Sequence, residues 1–204
     1  MQLLPAASRG ITVAGLVAFI LGVSACGNGP APRLYLLEPW YESAPRVIQT
    51  ELSELGLSIV SLPGYAKNER IATRDKTASV SLDDRHRWAE SPEQAITRVL
   101  AEGLRIHSGA TVLTEPWPRG YKPQARIEVV FDRLLREPNG GSDMAGQIRL
   151  IAGDGRSVLS VTPFQVTYDG NSPEPEAFFR STAAAINDIA RMAIAALRNG
   201  ADAS

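Results

Sequence analysis

Two histidines are the main candidates for acid–base chemistry in this sequence. Nucleophilic catalysis needs a nucleophile, a base and a group that orients the base. His86 lies in the polar run Asp83–Arg87, which is typical of a solvated charged turn, and the chain has no Gly-x-Ser-x-Gly motif. His107 falls at the predicted end of a helix, where a capping role is sufficient because a positive charge is favourable there. The sequence therefore predicts no catalytic residue, although hydrolysis through either histidine stays open as a third hypothesis.

Neither the acidic residues nor the glycines form a recognisable metal or phosphate site. The carboxylates are dispersed among turns, no His-x-x-x-His or EF-hand spacing occurs, and a single cysteine excludes a Cys-clustered zinc site. Gly140–Gly141 lacks the Lys-Ser/Thr pair that completes a phosphate loop. With 21 Lys and Arg against 22 Asp and Glu, the chain also lacks the basic excess of nucleic-acid binders. We expect no metal, no bound cofactor and no nucleic-acid partner.

The single cysteine, Cys26, has a more specific chemical context. It follows the uncharged run Ile11–Leu21, which is too short to cross a bilayer that needs roughly 20 helical residues and is typical of a secretory signal. Val23-Ser24-Ala25-Cys26 resembles a bacterial lipobox. That resemblance implies cleavage before Cys26, a diacylglycerol on its thiol and an N-acyl chain, and several chains give stable anchoring. We therefore expect a signal peptide over residues 1–25 and a lipidated cysteine with its tether over 26–32.

Hydrophobic periodicity predicts the elements of the mature chain. Strands are expected at 33–37, 57–62, 77–82, 111–113, 125–135, 145–152 and 157–168. Tyr65–Arg74 is polar and predicts a surface excursion. Ser91-Pro92 predicts a helix running to about Ile106, with Ser91 and Gln94 forming a capping box. A second amphipathic helix is expected from near Ser172, with Gly200 just past its end.

This order of elements predicts a single domain over residues 33–200. We expect an α+β fold, an α/β sandwich in which a mixed, largely antiparallel sheet carries both helices on one face. The last three strands are expected to be consecutive and antiparallel, with Gly153-Asp154-Gly155 supplying one hairpin turn. A core of this size needs neither a metal nor a disulfide.

Several short motifs, in order, point to a family. Arg33–Leu37 follows soon after Cys26, Ile59–Tyr65 ends in Pro-Gly-Tyr, Trp88–Pro92 reads Trp-Ala-Glu-Ser-Pro, and a β-rich half closes with an amphipathic helix. Together they resemble the ABC-type transport auxiliary lipoproteins, the PqiC-like group. The polar stretch 66–74 and the extra segment 40–54 depart from the family pattern.

The resemblance implies a non-enzymatic accessory of an MCE-type lipid transport system. Its partners would be an MCE-domain protein with its ABC permease and ATPase, docked by a lipoprotein at the outer membrane. Gly27, in place of the Asp that retains lipoproteins at the inner membrane in some bacteria, favours the outer membrane. The six tether residues would hold the domain within about 20 Å of that membrane. Homo-oligomerisation is left open.

Two aromatic residues are candidate partner contacts. Tyr65 opens the predicted surface excursion, and Trp117 lies between two prolines on a predicted loop. For Trp117 local packing is the alternative. The alternative function is a carrier lipoprotein that holds hydrophobic cargo itself, which requires an apolar cavity between the sheet and the helices.

Overall fold

Residues 30–41, 47–48, 50–77 and 79–201 are described by a computed structural model of the chain. The chain divides into two units, Met1–Ala31 and Pro32–Ser204, and only Pro30 and Ala31 of the first are described. In the second unit the strands are β1 Arg33–Tyr35, β2 Glu54–Leu57, β3 Arg70–Arg74, β4 Val80–Trp88, β5 Thr111–Thr114, β6 Ala125–Arg136, β7 Ser142–Ala152 and β8 Val158–Tyr168. The helices are α1 Pro92–Ser108 and α2 Pro175–Ala201, and Gly64–Ala66 forms a short 3₁₀ turn.

The long strand β6 organises the eight-stranded sheet. Along one edge it pairs antiparallel with β7 over its full length, and β7 pairs antiparallel with β8. Along the other edge, β2 runs parallel to the start of β6 and carries β5 outside it. The end of β6 meets β3 through one parallel pair, Thr73 with Arg136, and β3 leads to β4 and then β1. The predicted mixed sheet is confirmed, and its longest ladders are antiparallel.

Alternation along the strands places the core under the helices. In β6, Ile127, Val129 and Phe131 are buried while the residues between them are half-buried. The two helices contact each other closely, because a Cβ added at Gly103 of α1 would lie 3.0 Å from the Cβ of Ala190 in α2. Both helices and the inner face of the sheet contribute to one core cluster, as the predicted α+β fold requires.

An aromatic group fixes β1 and β4 to α2. Tyr35 stacks on Phe179 at 5.4 Å between ring centroids, and Trp88 meets the same ring edge-on at 4.8 Å. Trp88 also packs edge-on against Phe178 at 5.9 Å and is buried. Edge-to-face pairs of this kind each stabilise by about 0.5–1.5 kcal/mol beyond burial.

Two segments predicted as surface loops are strands, so those predictions are wrong. Residues 70–74 of the expected excursion form β3, in which Ile71 is fully buried. The expected charged turn at residues 83–87 lies inside β4. Its polar side chains are accommodated because they pair outside the core: Arg70 with Asp84 at 3.3 Å, and His86 with Asp83 at 2.8 Å. Strand pairing therefore outweighs local polarity here.

Three predicted boundaries also differ from the structure. The strand expected at 57–62 is β2, which ends at Leu57, because the N–H of Val60 donates instead to Oγ1 of Thr97 at 3.0 Å. The chain rejoins β6 at a bridge from Ser61 to Val130. Ser91 makes no side-chain cap hydrogen bond, so the capping box is not formed, although Pro92 does open α1. Helix α2 continues to Ala201, so Gly200 is not past its end.

Ion pairs join the β3 side of the sheet to β6 and β7. Asp143 of β7 is nearly buried, and its Oδ2 lies 2.9 Å from Nη2 of Arg74 and 2.8 Å from Nε of Arg133. Arg74 also lies 3.2 Å from Glu137. These contacts supplement the single ladder pair between β3 and β6.

Candidate functional site

His86 is paired with a neighbouring carboxylate on β4. Its Nδ1 lies 2.8 Å from Oδ2 of Asp83, and its ring is 5.9 Å from that of Tyr35. Burial acts to raise the pKa of Asp83, but hydrogen bonds from His86 and from the backbone N–H of Arg85 outweigh it, so the pKa is lowered. These contacts tie His86 into the sheet surface between β1 and β4.

His107 lies in the last turn of α1, at the helix end where the sequence predicts it. Its side chain is buried, and Nε2 lies 2.6 Å from Oδ1 of Asn187 on α2. Its carbonyl accepts a hydrogen bond from the N–H of Ile48 at 2.6 Å. His107 therefore joins the two helices. The two histidines lie on different elements, each with a partner of its own, and the described residues contain no cluster of three or more His, Cys, Asp or Glu that could hold a metal.

Tyr65 is directed into the fold more than toward solvent. It lies in the 3₁₀ turn Gly64–Ala66, is partly buried against the core, and its hydroxyl accepts a hydrogen bond from the N–H of Leu134 at 3.2 Å. Its carbonyl accepts from the side-chain amide of Asn68 at 3.0 Å. The ring therefore positions the turn against the end of β6.

Trp117 is held on the loop between β5 and β6 by specific contacts. Its indole N–H donates to the carbonyl of Leu113 at 3.2 Å, and the guanidinium of Arg126 lies 5.0 Å from its ring centroid. The side chain is half-buried and packs close to Gly56 of β2. An aromatic side chain fixed in this way could contact a partner at little further cost in conformational entropy.

The rest of the Trp117 loop is fixed to β2. The hydroxyl of Tyr121 donates to the carbonyl of Leu55 at 2.9 Å, and Oε1 of Gln124 accepts from the N–H groups of Ser53 and Glu54 at 2.7 and 3.0 Å. Burial, and then the charge of Glu54, raise the pKa of Tyr121. The hydroxyl therefore remains a donor at neutral pH, and the loop has a defined shape.

The two candidate contacts do not form one surface. Tyr65 contacts Leu134 near the end of β6, whereas Trp117 stacks with Arg126 near its beginning. Eight residues of strand separate these positions, which is about 26 Å. A single compact partner site cannot include both side chains.

A groove that the sequence did not reveal lies between α1 and the end of β5. It has a volume of about 380 Å³ and is lined mainly by Ile59, Thr97, Arg98, Ala101, Arg105 and Pro116. Ile59 is 44% exposed at its floor. Arg98 donates to the carbonyl of Leu37 at 3.0 Å and Arg105 to that of Val112 at 3.2 Å, so both arginine walls are held in place. In the sequence, this groove is indicated only by two arginines seven residues apart on α1. The same spacing is equally typical of a solvated helix face.

Cys26, the predicted lipidation site, lies outside the described residues together with the signal segment and most of the tether. Among the described residues, none of the helices combines the length and the apolar character needed to span a membrane.

Comparison with known proteins identifies the domain. A family model described as ABC-type transport auxiliary lipoprotein component matches residues 35–194, from the end of β1 into the last turns of α2. No sequence among the curated proteins matches the chain significantly.

Solved structures share its fold at low sequence identity. The crystal structure of an uncharacterized protein matches with a TM-score of 0.65 and 13% identity, over 81% of this chain and 98% of its own. The crystal structure of protein XCC0632 from Xanthomonas campestris matches with a TM-score of 0.65 and 11% identity, over 83% of this chain and 97% of its own. At these identities the likeness concerns the fold alone.

Proposed function

Because the chain belongs to the family of ABC-type transport auxiliary lipoprotein components, we propose that it is the outer-membrane-anchored adaptor of an MCE-type lipid transport system. Acylated Cys26 would hold it at the periplasmic face, where the folded domain docks the MCE-domain protein and, through it, the ABC permease and ATPase. The observation that carries this proposal is the family match, which spans the sheet and both helices. The role is non-enzymatic.

The chemistry of the described residues supports a binding role. The pairing of His86 with Asp83 and of His107 with Asn187 assigns both histidines to contacts within the fold. The features left on the surface are fixed shapes: the Trp117 loop and the α1 groove, which ends at Pro116 directly before Trp117. Rigid aromatic side chains beside a groove are typical of protein contact surfaces.

We place the docking surface on the Trp117 loop and the α1 groove. Tyr65 is the weaker candidate because its hydroxyl and carbonyl are already used within the fold. A docked partner would contact the exposed part of the half-buried Trp117 side chain and the exposed side of Ile59.

The carrier alternative needs a cavity between the helices and the sheet, and the packing there argues against it. Leu100 and Leu104 of α1 and Ile127 and Ile148 of the sheet are fully buried, and the helices touch at Gly103. The groove of α1 opens at the surface instead.

The test is affinity purification of the acylated protein from detergent-solubilised envelopes, with co-purifying proteins identified by mass spectrometry. We expect an MCE-domain protein and its ABC permease to be recovered. Trp117→Ala should reduce that recovery. Leu159→Ala is the control, because Leu159 is exposed on β8 and belongs to neither the Trp117 loop nor the α1 groove.

Two results would contradict the proposal. Recovery of phospholipid without any protein partner favours the carrier function. Equal recovery with Trp117→Ala and with wild type, under conditions where the partner is present, removes the Trp117 loop from the docking surface. Folding of each variant is checked by circular dichroism.

A further inference from the structure

The edge of the sheet at β1 exposes an apolar group that includes a tryptophan. Leu34 is 61% exposed, Leu36 56% and Trp40 43%. Together with Pro39 these residues form what we term the β1 edge patch. Single exposed apolar residues are ordinary on protein surfaces, whereas a contiguous group that includes a tryptophan indicates a contact surface.

The patch is held outward by the residues that alternate with it. Tyr35 stacks on Phe179 and Leu37 is fully buried, so the side chains of Leu34 and Leu36 project away from the core. The guanidinium of Arg180 covers one face of Trp40 at 4.9 Å from the ring centroid. The exposed side chains therefore cannot turn inward without breaking this packing.

Charged residues of both signs surround the patch. A hollow of about 240 Å³, lined by Tyr35, Leu36, Pro39, Trp40 and Phe179, is bordered by Glu38, Glu176 and Arg180. Arg33 lies at the start of β1, and Arg87 of β4 lies opposite Leu34. An apolar surface that carries tryptophan and leucine among charges of both signs suits the interface of a phospholipid membrane, where tryptophan is enriched.

We propose that the β1 edge patch rests on the phospholipid surface to which the lipoprotein is anchored. The inference rests on the anchoring of Cys26 in the proposed function. Six residues separate Cys26 from Arg33, and a fully extended tether of that length reaches at most about 20 Å. The strand nearest the anchor thus stays close to the membrane. By contrast β8 lies five strand spacings from β1, about 24 Å across the sheet.

This contact would orient the domain. With β1 on the membrane, the domain could not rotate freely about its tether. The rest of its surface, including the Trp117 loop, would then face a partner in a fixed orientation. The competing outcome is that a second copy of the chain or a protein partner covers the patch. The experiment distinguishes this protein contact from contact with lipid.

The experiment compares two leucines of equal exposure at different sheet edges. Leu36 on the β1 side and Leu159 on β8 are each 56% exposed. Leu36→Cys and Leu159→Cys are labelled with an environment-sensitive fluorophore in full-length protein, since the native Cys26 thiol is blocked when acylated. The labelled proteins are reconstituted into phosphatidylcholine vesicles with or without brominated acyl chains. We expect the probe at position 36 to shift to the blue and lose most of its emission to brominated lipid, while the probe at 159 changes little.

Unlabelled protein gives a second measurement if a cysteine variant misfolds. Tryptophan emission of wild type should be quenched by brominated lipid. The quenching should largely disappear in Trp40→Phe and persist in Trp117→Phe, while Trp88 is buried and contributes a constant background.

The outcomes distinguish this inference from the proposed function. Three results would overturn the lipid contact: equal quenching at positions 36 and 159, no quenching at position 36, or a blue shift at position 36 without quenching by brominated lipid. The mass of the mature protein reports acylation separately. An unacylated Cys26 overturns the anchor and this inference with it, whereas acylated protein without quenching at 36 leaves the anchor and the docking role intact.

Discussion

The two sides of the sheet are joined to β6 in different ways. On one side β7 and β8 are held by antiparallel ladders that run the length of each strand. On the other side the β1–β4–β3 group meets β6 through the single ladder pair of Thr73 and Arg136. Side chains make the remaining attachments, through the ion pairs of Asp143 and the stacking of Tyr35 on Phe179.

The difference indicates which part of the fold opens first. Opening a long backbone ladder breaks many hydrogen bonds together, whereas a group held mainly by side-chain contacts can separate at a lower cost in free energy. The β1–β4–β3 group also carries the β1 edge patch. The part of the domain nearest the tether is therefore the part whose stability depends most on particular side chains.

The largest expected effect comes from removing the aromatic support of β1. Phe179→Ala deletes the ring that contacts both Tyr35 and Trp88, and a phenylalanine deletion in a core typically destabilises by about 3–5 kcal/mol. Phe164→Ala is the matched control, because Phe164 is equally buried and packs edge-on against Phe131. Both variants should lose stability in chemical denaturation.

Hydrogen exchange should separate these two variants. In Phe179→Ala, we expect the amides of β1 and β4 to lose protection from exchange before the rest of the domain. In Phe164→Ala, we expect these amides to be protected as well as the global stability of that variant allows. The same exchange pattern in both variants would show that the two sides of the sheet open together.

Breaking the ion-pair junction should have an intermediate effect. Asp143→Asn removes the charge that faces Arg74 and Arg133, and we expect a loss of about 1–2 kcal/mol. This is below the 3–5 kcal/mol of a fully buried pair because both arginines are about a third exposed. Asp154→Asn in the β7–β8 turn, where the carboxylate accepts one backbone N–H at 3.0 Å, should change stability by under about 0.5 kcal/mol. If Asp143→Asn and Asp154→Asn lost equal free energy of unfolding in urea denaturation, a special role for the ion pairs of Asp143 would be contradicted.

The β8 edge is protected by a proline. Pro163 lies within β8 and lacks an N–H, and prolines on edge strands hinder pairing with another chain. Pro163→Val should leave the fold intact but increase self-association at high concentration, because Leu159 and Val161 are exposed on the same strand. Sedimentation velocity measures this, and Pro138→Val in the turn between β6 and β7 is the control. A monomer–oligomer distribution unchanged from wild type would show that the proline has no such role.

The smallest effect is expected from pH and concerns the β4 side. Burial acts to raise the pKa of Asp83, but hydrogen bonds from His86 and from backbone N–H groups lower it below 3.8, and Arg136 of β6 lies 4.0 Å away. A carboxyl whose pKa is lower in the folded state stabilises the fold at any pH above its pKa in the unfolded state. That stabilisation is lost as the pH falls through its pKa in the folded state. Wild type should therefore lose more stability than Asp83→Asn between pH 6 and pH 3, by under about 1 kcal/mol for a partly exposed group. Parallel pH profiles of the two proteins would contradict this.

Local pattern predicted the elements wherever it was strong. The alternation of β6, the Pro92 start of α1, the short β5 and the β7–β8 hairpin all form as expected, and Gly155 has the positive φ of +77° that its turn requires. The pattern failed for β3 and β4, since Arg70–Arg74 and Asp83–Arg87 are too polar to read as strands in isolation. Their strand conformation depends on pairing with each other and on burial of Ile71, which are long-range effects.

The candidate site was predicted less completely than the fold. Trp117 was identified from its flanking prolines, but its contacts with Arg126 and Gly56 join residues distant in sequence. Tyr65 was identified from a motif, and the structure assigns its hydroxyl to the backbone of β6. The α1 groove combines residues from separate elements, so the spacing of its arginines alone could not reveal it. The residues of the β1 edge patch are close in sequence, but their exposure is known only from the structure.

The sequence by itself determined the family resemblance and the α+β class, and it supplies the prediction of a lipobox at Cys26, because each depends on short motifs or on periodicity along the chain. Only the tertiary structure decided which polar segments become strands, which tryptophan is buried and how each side of the sheet is attached. These outcomes depend on contacts between residues tens of positions apart, such as Arg74 with Asp143 and Tyr35 with Phe179, where burial and pairing outweigh local preference.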